Sequence, residues 1–184
     1  MKKLWYILLA LLLAGCAAVP AEMQPPEVTG SLTVQYLEEG ATVTCNGEVL
    51  EIGADTDVAE DFYLDCARVT VLPSGGLHVG FGQTGFLFLG DMTREEQTQL
   101  VQQRKDALRA DILQISGEPS EALLAAVQPG YVMMPEKPEG DWAQQLEVFT
   151  FEGFGPVTAE SDGSSVNISW SLHVTDSVAS AAGS

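Results

Sequence analysis

Several groups of residues in this chain of 184 have types and spacings that could do chemistry. Gly80-Phe81-Gly82-Gln83-Thr84-Gly85 has the G-x-G-x-x-G spacing. In a dinucleotide-binding fold such glycines let a pyrophosphate approach a helix N-terminus. Here Phe86-Leu87-Phe88-Leu89 follows, which reads as a strand and not a helix. The glycines are therefore expected to serve a tight turn, a bulge or close strand packing. Asp55, Asp57, Glu60, Asp61 and Asp65 crowd one stretch, and clustered carboxylates can supply the oxygens that calcium takes. An EF-hand loop from Asp55 would need an oxygen ligand where Ala59 stands, Gly where Glu60 stands and Glu where Cys66 stands. That pattern fails. A calcium site of another kind stays open beside the simpler reading of a solvated acidic loop.

The two histidines, His78 and His173, each lie between apolar residues of an alternating segment, which turns both toward polar strand faces. As neighbours they could hold a metal or supply a base. A catalytic base also needs an orienting group and a nucleophile. Neither G-x-S-x-G nor H-E-x-x-H occurs. No catalytic residue is assigned. Tyr131, Met133, Met134 and Trp142 sit among Pro135 and Pro138 in residues 130–143, which read as irregular. A connection of that length is uncommon unless it is a lid, a binding loop or disordered. Four large apolar side chains disfavour disorder. They either cover the core or a sheet edge, or form a partner-binding surface, since methionine and aromatics are enriched at interfaces. Arg94, Arg104, Lys105 and Arg109 fall in one helical segment, balanced by Glu95, Glu96, Asp106 and Asp111. They read as a solvated face, with docking to an acidic neighbour as the alternative.

These groups need elements to position them. Leu32, Val34 and Tyr36 alternate as in a half-buried strand. Residues 41–45 and 48–52 flank Asn46-Gly47, which supplies the positive φ angles of a type I′ hairpin turn. Residues 53–65 read as a loop. Strands follow at 66–72 and from Leu77, with Phe86–Leu89 apolar on both sides. Thr93 and Glu96 have capping-box spacing. Val101, Leu108, Ile112 and Ile115 predict one helix running from there to Gly117. A shorter helix begins at Pro119 or Ser120, buries Leu123, Leu124 and Val127, and stops at Pro129-Gly130. Two strands, about 145–152 and 165–175, close the domain. Strands, helices and strands in that order predict an α+β fold, a mostly antiparallel sheet with two consecutive helices packed on one face.

The start of the chain is informative about location. Lys2 and Lys3 precede an apolar run from Leu4 to Ala14, which ends in Leu13-Ala14-Gly15-Cys16. The run is shorter than the ~20 residues of a membrane-spanning helix and suits a signal peptide. The segment resembles the lipobox signal peptide of bacterial lipoproteins, and the resemblance covers this segment alone. It implies lipidation of Cys16, removal of residues 1–15, and anchoring in the cell envelope on the extracytoplasmic side. That is the outer membrane if the source is Gram-negative and the outer face of the cell membrane if it is Gram-positive. Residues 16–30, with Pro20, Pro25 and Pro26, read as a lipidated tether reaching roughly 40 Å. A single domain is expected over 31–176, and a frayed tail over 177–184.

With Cys16 assigned to lipid, Cys45 and Cys66 remain as an even pair, which an exported protein can join as a disulfide. Two isolated cysteines are a poor zinc set, and no cofactor is expected. The chain carries 8 Lys+Arg against 26 Asp+Glu, so a nucleic-acid partner is not expected. Processing removes two lysines and takes the net charge from −18 to −20. An apolar fraction of 46% excludes a disordered chain. The expected function is a non-enzymatic envelope lipoprotein. It would be an interaction, assembly or accessory domain for an unidentified envelope protein or ligand, held off the membrane by its tether. The alternative is an extracytoplasmic calcium-binding protein or enzyme using residues 55–65 or His78 and His173.

Overall fold

The computed structural model describes residues 27–138, 140–151 and 155–170. Cys16, the signal segment, His173 and the C-terminal tail lie outside them. Alternating apolar residues build a five-stranded antiparallel sheet from β1 (Leu32–Leu37), β2 (Gly40–Cys45), β3 (Glu48–Ile52), β11 (Val157–Ser161) and β12 (Val166–Trp170). Its order is β12-β11-β1-β2-β3. A seven-stranded sheet holds β4 (Phe62–Leu64), β5 (Ala67–Val71), β6 (Leu77–Phe81), β7 (Thr84–Phe88), β8 (Ile112–Gln114), β9 (Tyr131–Met134) and β10 (Glu147–Thr150). Its order is β10-β9-β8-β7-β6-β5-β4. The first four strands of that order run parallel, and the rest pair antiparallel. Parallel neighbours need crossovers. Helices α1 (Arg94–Arg104) and α2 (Glu121–Val127) occupy the first two.

The layers follow from the period of two along each strand. Phe86, Phe88, Ile112 and Met133 face the five-stranded sheet, where they meet Leu32, Val34, Tyr36 and Val43. Leu87, Leu89, Leu113, Val132 and Met134 face the opposite way, against Leu100 of α1 and Leu123 and Val127 of α2. The fold is therefore α+β and largely antiparallel, with both helices on one face of the larger sheet. Both helices start as their sequences require. The Thr93 side chain accepts from the Glu96 amide while the Glu96 carboxylate accepts from Thr93 N. Ser120 Oγ accepts from Leu123 N.

Four stretches differ from the sequence reading, and the first is Phe62–Leu64, which pair with β5 as β4 inside the residues 53–65 read as a loop. The helix predicted to reach Gly117 ends at Arg104, a single 3-10 turn follows, and Ile112–Gln114 form β8. Spacing alone suggested a helical face there. However, Ile112 and Leu113 point to opposite layers, and β8 pairs with β7 on one side and β9 on the other. Burial on both faces overrides helical periodicity. Tyr131–Met134 form β9 rather than part of an irregular segment, for the same reason. Between Phe151 and the last strand the chain adds β11, which the sequence reading did not contain; it fills the place beside β1.

Candidate functional site

One end of the molecule gathers most of the polar side chains that join the two sheets. The two-residue turn Asn46-Gly47 links β2 to β3, and both residues have positive φ (48° and 95°), as the hairpin reading required. The turn Asp65-Cys66 links β4 to β5, and Gly82-Gln83 links β6 to β7. Residues 162–165 link β11 to β12. These turns, from both sheets, converge at that end.

Asn46 is the hub. Its Nδ2 donates to the Thr29 carbonyl (2.9 Å), to the Asp65 carboxylate, and more distantly to Cys66 Sγ (3.5 Å). Its Oδ1 accepts from Ser31 N (3.3 Å). The backbone leading into β1 is thus gripped by one side chain. Gly30, at φ +84°, lies so close that a Cβ would stand 1.9 Å from Asn46 Oδ1. Across the gap, the Glu48 carboxylate accepts from Asp65 N at 2.8 Å.

Cys45 and Cys66 lie inside this arrangement, both buried and both free thiols, with sulfurs 3.6 Å apart. Cys66 Sγ also donates to the Thr29 carbonyl at 3.3 Å. Burial pushes the Cys45 thiol up to about 11. Among the described residues, Cys45, Asp65 and Cys66 are the group whose ligand atoms all lie within 4.8 Å of one another.

A second seam closes beside it. Thr84 Oγ1 donates to the Phe81 carbonyl and lies 2.7 Å from Ser161 Oγ, and both side chains are buried. Gln83 N donates to the Gly163 carbonyl at 2.6 Å. A Cβ on Gly82 would stand 2.3 Å from that carbonyl. The G-x-G-x-x-G spacing is thus a hairpin turn pressed against another turn, as expected from the strand that follows it.

The other sequence candidates are dispersed. Asp55, Asp57, Glu60, Asp61 and Asp65 are all exposed. Asp61 accepts from Val71 N and pairs with Arg68 at 3.6 Å, whereas Asp65 turns to Asn46. His78 is half-buried on β6, with Nε2 3.1 Å from the Arg109 carbonyl; burial is the main cause that lowers its pKa below 6.5. Its proposed companion His173 lies outside the described residues. Arg94 pairs with Glu118 at 2.6 Å.

The partner-binding reading needs correction at Met133 and Met134. Met133 and Met134 are buried in opposite layers of the core, because β9 is flanked by strands on both sides. Tyr131 is half-buried and its ring lies 6.3 Å from Phe149. Trp142 is half-buried against the helix layer. Tyr131–Met134 and Trp142 thus pack on the core, whereas Glu136, Lys137 and Asp141 are exposed.

At the far end, Glu38, Pro135, Glu136, Lys137 and Phe151 line an open cleft of about 440 Å³. It lies beyond the carboxyl ends of β9 and β10, where parallel sheets commonly place ligands. Its charged lining residues are all exposed. No protein-family model matches this chain, and no curated protein or solved structure matches it significantly.

Proposed function

We propose that this chain is a bacterial envelope lipoprotein whose domain works by interaction or assembly rather than by catalysis. Its anchor is supported by Leu13-Ala14-Gly15-Cys16 behind a basic, apolar leader. The observation that carries the reading is the grip of Asn46 on the backbone of Thr29 and Ser31. A chain arriving from a tether is held at one defined end of the domain. Glu48, Asp65 and Asp162 stand at that same end, and anionic headgroups repel carboxylates. Lipid holds the protein at the membrane while charge holds the domain off it. The partner is an envelope protein or ligand met beyond the headgroups.

Cys16→Ala tests the anchor. The variant should lose lipid labelling and leave the membrane fraction, and it should lose the envelope partner that crosslinking recovers with the wild type. A variant that still labels and partitions as before would remove the reading.

A further inference from the structure

We propose that Cys45 and Cys66 close to an intramolecular disulfide that bolts the five-stranded sheet to the seven-stranded sheet where the chain enters from its tether. Cys45 ends β2 in one sheet, and Cys66 sits in the β4–β5 turn of the other. Nothing stands between their sulfurs at 3.6 Å. A bond needs about 2.05 Å, an approach of about 1.5 Å. The bolt would sit on the grip already described. Cys66 Sγ and Asn46 Nδ2 both donate to the Thr29 carbonyl. Closure removes the thiol hydrogen and leaves Thr29 held by the amide.

The same sulfurs and Asp65 would also be the core of a metal site, and two features weigh against that. Asn46 Nδ2 already donates to the acceptors a cation would take, the Thr29 carbonyl, the Asp65 carboxylate and Cys66 Sγ. Metal ligation also needs thiolates, and burial disfavours the thiolate of Cys45. A disulfide is neutral and suits the apolar surroundings of Cys45.

The chemistry is thiol–disulfide exchange with an oxidant that is itself a disulfide, either of a thiol oxidoreductase or of a small molecule. Cys66 is the less deeply buried of the two, 6% exposed against 0% for Cys45. Its thiolate attacks the oxidant, forms a mixed disulfide and expels one thiolate. Cys45, which burial keeps protonated at rest, loses its proton only transiently as it attacks the Cys66 sulfur and expels the second thiolate. Two protons leave the pair, and two electrons reduce the oxidant to two thiols.

The test uses the full chain carrying Cys16→Ser, which leaves Cys45 and Cys66 as its two thiols. The reduced protein is treated with oxidised glutathione and then with a maleimide. The expected product has lost two hydrogens, resists the maleimide at both sites, and yields a linked peptide joining residues 45 and 66. Its melting temperature should exceed that of the reduced protein by about 10 °C. Thiols that stay open, glutathione adducts that accumulate without closure, or an oxidised form that melts no higher would each overturn the bolt. So would zinc(II) that protects both thiols of the reduced protein at one equivalent, which would assign the pair to a metal instead. Single Cys45→Ala and Cys66→Ala variants should remain folded, and each should stop at the glutathione adduct. These arms do not depend on export. Trapping the wild-type thiols in cells does rest on the lipoprotein reading. A pair that closes with glutathione yet is found reduced in cells removes that reading and leaves the bolt standing.

Discussion

The parallel half of the larger sheet and the turn end between the two sheets hold this molecule together in opposite ways. In the parallel half, Phe86, Ile112, Met133 and Phe149 face one apolar layer while Leu87, Leu113, Val132 and Val148 face another. Apart from the edge strand β10, no strand there offers water a face. At the turn end the sheets meet through Asn46, Glu48, Thr84, Ser161 and two thiols. Apolar burial is strong but non-directional. Hydrogen bonds are individually weak but demand distance and angle. The first region therefore supplies most of the stability, and the second sets how one sheet sits on the other.

Breaking each region separately should expose that division. The largest effect is expected in the parallel half. Met133 is fully buried between β8 and β10. Met133→Ala should cost roughly 2–5 kcal/mol through lost burial and the cavity left behind. Urea unfolding would measure it. An unchanged midpoint would mean that Met133 is not core and would restore it as a surface candidate.

At the turn end the hub is exposed and the expected loss is smaller. Asn46→Ala removes the donor to Thr29 and Asp65 and the acceptor from Ser31, and places alanine at φ 48°. About 1–2 kcal/mol should be lost by the same measurement. Asn46→Asp keeps a residue that tolerates positive φ but replaces the amide donor with a carboxylate facing Asp65. It should do no better than alanine. Full stability in the Asp variant would show that Asn46 acts through its backbone alone, and the grip on the incoming chain would fall with it.

The two regions were also unequally legible in the sequence. Asn46-Gly47 announced its turn because positive φ at two successive positions is a local demand. Thr93 with Glu96 announced a helix start because a capping box is complete within four residues. The glycines at 80, 82 and 85 were readable as a turn from the strand that follows them. Ile112–Gln114 and Tyr131–Met134 were not readable as strands. They are short, apolar on both faces and flanked by prolines or charges, so their period is set by neighbours distant in sequence. Asn46 was visible as a turn residue but not as a hub, since Thr29 reaches it through the pairing of β1 with β2 and Asp65 only through the packing of two sheets. The cysteines were visible as an even pair, whereas their proximity needed the fold.

The smallest effect concerns Asp162, whose turn carries the far side of the same seam. Its Oδ1 accepts from Ser164 N, Ser165 N and both serine hydroxyls. Those donors, the backbone amides first, hold its carboxyl down from an ordinary 3.8 to about 2. A carboxyl lowered by folding stabilises the fold fully above its unfolded pKa, and that contribution is lost as pH falls through the folded value. The window for Asp162 therefore runs from about 3.8 down to about 2. Because the group is fully exposed, solvent screens the contribution at neutral pH. Asp162→Asn retains a side-chain oxygen that can accept from the same amides but carries no charge. It should leave the neutral-pH melting temperature nearly unchanged and flatten the acid limb of stability within that window. A carboxyl titration followed by NMR should place the wild-type midpoint near 2. A midpoint at the ordinary value would mean that the serine amides turn away from Asp162 in solution. The turn that supplies the Gly163 carbonyl to Gln83 would then be held by Gly163 N donating to Ser161 Oγ and by its contact with Gly82.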